Sequence, residues 1–413
     1  MLRCSSFIKV LLAIWAALLI LSPKGVKALI GYEGVWFNPQ LVFIFFTFPL
    51  LAMCRTFDFG KFKANDYLIK YIFLICTLYF LSTLISFVYT PVSVYYPLSE
   101  SIRQTFNFLL VFIPILCLKH EYISFVMKFL IMLGLLELLF VVYGLLGAFG
   151  YIPTQQFLKD IVLEAIFNQS WTVIGFLPKW GGTFPETQEL STFILMCYVF
   201  TDIVFKSKKN GVRILKLLFI VSIIYLQSKS TIVGLVLYLL FSVNRTYRYS
   251  FLPVAVLGVV YFIYKATSQE FVTTFNLESL ALQYSSFGER LFHIVKSMDY
   301  MKDNIIQFFF GLGPRTYGTI VSIEYPSYFN EYSNAISIFN VLSDLGIIGF
   351  IVFIFFLILL YKNIKSFKLK IAYISILVSY MLQVAWGESF VYMFLALLLN
   401  YDKSTKRDAR IFK

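Results

Sequence analysis

Two arginines in one polar segment are the residues best suited to bind an anion. Arg290 ends the run Phe287-Gly-Glu-Arg290 near a predicted helix start, and Arg315 follows a glycine turn, Gly311-Leu-Gly-Pro-Arg315. Arginine presents a planar fork of donors that matches phosphate oxygens, and a helix N-terminus adds partial positive charge. Both arginines could therefore contact one phosphate group. The alternatives are that Arg290 pairs with a neighbouring acid or stays solvated, and that the two glycines only stop a helix.

A second polar segment carries a lysine and a carboxylate before an apolar run. It reads Leu177-Pro-Lys179-Trp-Gly-Gly-Thr-Phe-Pro-Glu186. Lys179 could bind phosphate, and Glu186 could accept a proton, because a carboxylate at a membrane interface titrates high enough for proton transfer. The local alternative is an interfacial lysine and a glutamate at a helix start.

The composition identifies a membrane protein. Of the 413 residues 59% are hydrophobic, 19% aromatic and 14% charged, too few polar groups to cover a soluble fold of this size. The net charge of +13 is concentrated in short segments between apolar runs, which indicates membrane orientation rather than nucleic-acid binding. The five cysteines and two histidines form no metal-ligand pattern, and no nucleotide motif is present, so no cofactor is expected.

The hydropathy pattern predicts an all-α polytopic membrane protein with about twelve transmembrane helices, residues 1–413 forming a single membrane domain. The predicted spans are 6–22, 35–53, 68–90, 105–118, 122–149, 189–205, 212–227, 231–244, 250–265, 334–361, 371–386 and 388–400. Ionisable residues inside them, such as Asp344, are expected to face a partner or a cavity.

Charge asymmetry predicts that both termini are cytoplasmic. In that orientation 23 of the 35 Lys and Arg residues lie on the inside. Segments 150–188 and 266–333 then form two long external loops. An alternative is that residues 1–28 are a cleaved signal peptide, with a possible site at Val26-Lys27-Ala28.

Each long loop carries an amphipathic stretch that is expected to lie in the headgroup layer. In the second loop the predicted apolar face comprises Leu291, Ile294, Val295, Met298 and Ile305.

These features resemble the O-antigen polymerase and ligase superfamily of bacterial membrane glycosyltransferases, most closely the Wzy-type polysaccharide polymerases. The resemblance is carried by Gly181-Gly-Thr-Phe-Pro-Glu186, by Arg290 followed by a helix and Phe310-Gly-Leu-Gly313, and by Val341-Leu-Ser-Asp-Leu-Gly-Ile-Ile-Gly349. It implies the C-type membrane glycosyltransferase fold in the inner (plasma) membrane.

Two departures from the family pattern bear on function. The arginine that the family has in its first loop is Lys179 here, which keeps the charge but loses the bidentate fork. The histidine usual in O-antigen ligases near the start of the span after the long loop is missing from Tyr332-Ser-Asn-Ala-Ile. The second departure favours a polymerase over a ligase.

The resemblance also implies the chemistry and the partners. Such polymerases join undecaprenyl-diphosphate-linked oligosaccharide repeat units at the outer face of the plasma membrane, in lipopolysaccharide or other polysaccharide biosynthesis. Arg290 is expected to be catalytic together with Glu186, while Arg290, Arg315 and Lys179 would bind the diphosphate. Membrane lipid and a chain-length regulator protein are the other expected partners. The alternatives are an O-antigen ligase that transfers glycan to lipid A-core, and a transporter or flippase of lipid-linked sugars, for which internal repeats would be expected.

Overall fold

A computed structural model provides the structure of this chain, and it describes fourteen stretches of the sequence. They are residues 2–20, 39–58, 60–61, 65–90, 95–148, 151, 172–173, 177–178, 184, 187–205, 210–242, 286–325, 337–383 and 389–411.

The described residues are helical apart from turns and one short antiparallel β-pair. The helices are α1 (Leu2–Ile20), α2 (Pro39–Met53), α3 (Asp66–Tyr89), α4 (Tyr95–Phe106, continued by a π-helical stretch Asn107–Phe112 and by Ile113–Cys117), α5 (His120–Ala148), α6 (Thr187–Val204), α7 (Asn210–Leu226), α8 (Lys229–Ser242), α9 (Ser286–Lys302), α10 (Ile305–Phe310), α11 (Thr316–Glu324), α12 (Ser337–Asn363), α13 (Phe367–Met381) and α14 (Ser389–Ile411). The β-pair joins β1 (Thr172–Val173) to β2 (Leu177–Pro178).

Four of the described helices are long and apolar enough to cross a bilayer. They are Asp66–Tyr89, Tyr96–Cys117, His120–Gly147 and Ser337–Asn363. Eleven of the twelve predicted spans coincide with helices within the described stretches, and residues 250–265 lie outside them. The chain is thus a helical integral membrane protein, while twelve crossings and the C-type fold stay predictions.

The start of the fourth predicted span was wrong. The hydropathy pattern begins this span at residue 105, but helix α4 begins at Tyr95. The additional turns hold polar residues, including Glu100 and Arg103. A prediction based on continuous apolar sequence leaves such residues out of a span. These residues are nevertheless helical, because their polar side chains bond to one another and to other helices.

Helices α6 and α14 occupy the centre of the bundle. Residues 190–201 of α6 and 390–400 of α14 are buried throughout. Helix α6 packs against α5, α7, α8 and α13, and α14 packs against α4 and α5. Helices that are apolar on every side are expected at such central positions.

A charged cluster ties α6 to three neighbouring helices. The Asp202 carboxylate on α6 binds Lys216 of α7, Lys368 Nζ of α13 at 2.6 Å and the Tyr238 hydroxyl of α8 at 2.9 Å. A carboxylate with two ammonium partners and a hydroxyl donor has its charge compensated at small desolvation cost.

Helices α9, α10 and α11 belong to the second predicted loop and share a small core. Phe292, Met301, Leu312, Tyr317 and Val321 form it. The three helices pack onto α12, and α10 also packs onto α3. Within the predicted apolar face of this loop, Met298 of α9 is 48% exposed, because α9 turns Phe292 and His293 toward the protein, and Ile305 at the start of α10 is 71% exposed. Contact of that exposed face with lipid headgroups stays a prediction.

Candidate functional site

The glycine turn between α10 and α11, residues 311–315, packs closely against a kink in α12. Helix α10 ends at Gly311, whose φ of 90° is readily adopted only by glycine, so the predicted helix stop is confirmed. Helix α12 is interrupted at Gly346, where φ is 65°. A Cβ on either glycine would overlap the backbone of the other segment. Close backbone contact therefore fixes where the chain leaves the turn.

Hydrogen bonds fasten the turn to α12 and α3. The Leu312 amide donates to the Ser343 carbonyl at 2.7 Å, and the Ser82 hydroxyl of α3 donates to the Asp344 carbonyl. The hydroxyls of Ser86 and Thr316 lie 2.9 Å apart. The turn is thereby held from two sides.

Arg315 lies at the end of this turn in a left-handed conformation. Its φ is 58°, and it forms the N-cap of α11. For a residue with a Cβ this conformation costs about 1–2 kcal/mol. Its amide donates to Asp344 Oδ1 at 3.3 Å, which gives that buried carboxylate the partner expected from the sequence. Strain held by surrounding contacts is a common property of functional positions.

The Arg315 side chain is held by a buried carboxylate on α4. Arg315 Nε lies 3.0 Å from Glu100 Oε2, and the Glu100 side chain is only 6% exposed. Arg103 binds the same carboxylate through Nε at 2.9 Å and Nη2 at 2.6 Å. Gln104 Nε2 adds a fourth bond at 2.7 Å, and the Tyr392 hydroxyl of α14 donates to Gln104 Oε1. Glu100 thus joins α4 to the turn and, through Gln104, to α14.

This arrangement leaves part of the Arg315 guanidinium available. The side chain is 37% exposed, and its two terminal nitrogens bond to no residue that the structure describes. A guanidinium oriented through Nε with its terminal nitrogens uncommitted has the geometry for bidentate contact with phosphate. The arrangement can therefore bind an anion without first breaking an ion pair.

Arg290 lies near the start of α9, three residues before a buried histidine. His293 is 1% exposed, and its Nδ1 lies 2.7 Å from the Tyr317 hydroxyl of α11. Burial raises the pKa of Tyr317 far above its ordinary value, so this hydroxyl keeps its proton. The contact joins the helix that carries Arg290 to the helix that Arg315 begins. The Arg290 side chain itself lies outside the described part of the structure, so its convergence with Arg315 stays a prediction.

Lys179 and Glu186 also lie outside the described residues. Between them, Phe184 is 2% exposed and packs against Phe193 and Phe390, at ring distances of 5.4 and 5.7 Å. This contact holds that point of the first predicted loop against α6 and α14. The roles of Lys179 and Glu186 stay predictions.

Sequence reasoning missed Glu100 and Arg103 because both were assigned to a loop. The signal that could have identified them is their spacing of three, which places an acid and a base together on a helix. No local pattern shows that Glu100 also binds Arg315. Among the described residues, no three His, Cys, Asp or Glu side chains are grouped as a metal site would require.

Comparison with known proteins finds a family match for part of the second half of the chain. No curated protein matches the sequence. Residues 214–354, which include Arg290, Arg315 and Asp344, match the Wzy_C family model, described as O-antigen ligase. This match is consistent with the O-antigen polymerase and ligase superfamily that the sequence motifs predicted.

Proposed function

We propose that this protein is a polysaccharide (O-antigen) polymerase that joins undecaprenyl-diphosphate-linked oligosaccharide repeat units at the outer face of the bacterial inner membrane. The observation that carries the proposal is the Arg315 guanidinium, which Glu100 orients while its terminal nitrogens stay uncommitted among the described residues. A reaction that releases a diphosphate needs such a group where negative charge develops.

In the proposed reaction the growing chain passes from its lipid diphosphate to a hydroxyl of the incoming unit. The bond between the anomeric carbon and the diphosphate oxygen breaks, and a bond to the acceptor oxygen forms. Glu186 takes the acceptor proton. Arg290, Arg315 and Lys179 hold the departing diphosphate. No nucleotide or metal is required, because a diphosphate is already a good leaving group.

The charge distribution supports this orientation. With both termini in the cytoplasm, segments 150–188 and 266–333 face the periplasm, where lipid-linked units would be joined. A chain-length regulator is the proposed protein partner.

An O-antigen ligase is the second candidate, favoured by the description of the matched family. The absence of a histidine from Tyr332-Ser-Asn-Ala-Ile, just before α12, supports the polymerase.

A surface-glycan gel from cells lacking this gene tests the proposal. Complementation with wild-type protein should restore a long ladder, and Arg290→Ala should leave only single repeat units attached to core. Lys302→Ala is the matched control, since Lys302 lies on the same helix in an exposed pair with Asp299. A normal ladder with Arg290→Ala at normal protein level contradicts the assignment of Arg290.

The deletion strain itself separates the three functions. Loss of all attached glycan, with long lipid-linked polymer accumulating, identifies a ligase. Lipid-linked single units retained on the cytoplasmic face identify a flippase.

A further inference from the structure

A cavity of about 420 Å³ lies beside the Arg315 turn. Its walls come from the end of α3, the last turns of α9, and helices α10 and α11. Lining residues that matter here are Tyr89, Tyr300, Gln307, Leu312, Ile320 and Glu324. The volume lies in the range of small-molecule sites, which are mostly apolar with a few placed polar groups.

The polar groups of this cavity are held in defined positions. The Glu324 carboxylate accepts a hydrogen bond from the Tyr300 hydroxyl and lies 3.3 Å from Lys296 Nζ. The Gln307 amide nitrogen donates to Thr90 Oγ1 at 3.1 Å, and this side chain is buried. A carboxylate accepts hydrogen bonds, and an amide both donates and accepts them. Sugar hydroxyls, which do both, are suited to this pair.

The cavity is built on the same turn that positions Arg315. Leu312 lines the cavity three residues before Arg315. The Thr90 amide donates to the Ser86 carbonyl at 2.9 Å, and the Ser86 hydroxyl contacts Thr316. The cavity and the N-cap position of Arg315 are therefore fixed by the same turn and the same contacts with α3.

We propose that the cavity binds a saccharide ring of the lipid-linked glycan, with the Tyr89 and Tyr300 rings against its apolar face and its hydroxyls on Glu324 and Gln307. This assignment rests on the function proposed above. An isoprenoid chain in the same place would exclude water from the Glu324 carboxylate and the Gln307 amide and leave their remaining hydrogen-bonding capacity unmet, which is costly.

The charged pair Glu324 and Lys296 at the cavity limits which sugars could bind there. Glu324 is 42% exposed at its side chain, and Lys296 is its cationic partner. The hydrogen bond that Lys296 donates to Tyr325 and the charge of Glu324 raise the pKa of Lys296, so its ammonium stays charged at neutral pH. A neutral or amino sugar can accept this pair unchanged, whereas a uronic acid would place a second carboxylate beside Glu324. The bound ring is therefore a neutral or amino sugar.

The experiment measures binding with full-length protein in lipid nanodiscs. The probe is the oligosaccharide repeat unit released by mild acid from the lipid carrier of the same cells, with undecaprenyl phosphate as the second probe. Ile320→Trp fills the cavity with an apolar ring, and Ile305→Trp is the matched control, since Ile305 is 71% exposed and does not line the cavity. Tyr300→Phe removes only the hydroxyl that holds Glu324.

The oligosaccharide should raise the Tm of wild-type and Ile305→Trp protein and leave that of Ile320→Trp unchanged. Tyr300→Phe should bind it roughly fivefold more weakly, since one hydrogen bond is lost. Arg315→Ala should bind this diphosphate-free probe as the wild type does. In cells, Ile320→Trp should shorten the glycan ladder, and Ile305→Trp should not.

Wild-type binding of the oligosaccharide by Ile320→Trp would overturn the assignment of the cavity. Protection by undecaprenyl phosphate that Ile320→Trp abolishes would assign the cavity to the isoprenoid and also overturn it. Failure of the proposed function is a separate result, visible as a ladder of normal length in the deletion strain.

Discussion

Replacing Glu100 by glutamine tests whether this buried carboxylate positions Arg315. Glu100 accepts three hydrogen bonds, two from Arg103 and one from Gln104, and its Oε2 also forms an ion pair with Arg315 Nε at 3.0 Å, so each carboxylate oxygen has two partners. Glutamine keeps one acceptor oxygen and turns an NH₂ group toward the partners of the other oxygen. Two of the four partners therefore lose their acceptor in either orientation of the amide.

The size of the effect follows from the exposure of the donors. A hydrogen bond to a charged group contributes about 1.5–3 kcal/mol. The arginine side chains are 21% and 37% exposed, so water compensates part of the loss. We expect Glu100→Gln to lower the free energy of unfolding by about 2–3 kcal/mol. Polymerisation should fall by about tenfold or more, because in either orientation of the amide Arg315 keeps its own charge but loses the negative partner that orients it.

The assay is turnover of the lipid-linked repeat unit by purified protein, normalised to the folded fraction. A positioning role lowers kcat per folded molecule, whereas a purely structural role lowers only the folded fraction. Glu100→Asp, which keeps the charge but shortens the reach, should recover part of the stability. Asp299→Asn is the matched control, since Asp299 belongs to an exposed pair. Wild-type kcat in folded Glu100→Gln protein, with Arg315→Ala inactive, would refute the reasoning.

Other variants test the turn, the kink and the α6 cluster. The Arg315→Gly variant should have a free energy of unfolding about 1 kcal/mol higher than that of Arg315→Ala, because glycine relieves the positive φ. Both variants should lose polymerisation. Equal stabilities in a thermal-shift assay would exclude strain at this position. Gly311→Ala should lower the unfolding free energy by more than about 3 kcal/mol, through its clash with α12. Gly211→Ala, with open space around its Cβ position, should be neutral in the same assay. Asp202→Asn should destabilise the protein by about 2–3 kcal/mol and leave ladder length per folded molecule unchanged; a shortened ladder would give Asp202 a role beyond stability.

The sequence predicted features that depend on local pattern. Apolar runs located eleven helices among the described residues, because a helix of the membrane interior must be apolar over its length. Gly311 was recognised as a helix stop, since only glycine readily adopts its φ. The motifs around Arg290 and Asp344 predicted the superfamily, and the family match at residues 214–354 is consistent with that prediction. All of these are read from neighbouring residues.

The local sequence pattern failed to predict structure where a polar residue forms its hydrogen bonds with a residue far away in the sequence. Helix α4 starts ten residues before its predicted span, because Glu100, Arg103 and Gln104 bond to one another and to other helices. The pattern left open which side of α9 packs onto the protein, and the burial of Phe292 and His293, with the contact of His293 to Tyr317 of α11, decided it.

The sequence alone thus determined a helical membrane protein, its resemblance to one superfamily and the types of residue that could bind an anion. Only the tertiary structure decided that Glu100 holds Arg315, that the Gly311 turn fits the kink at Gly346, and that a cavity lies beside them. The reason is physical. Helix periodicity and hydropathy extend over a few turns, whereas the orientation of a guanidinium depends on groups that folding brings together from separate helices.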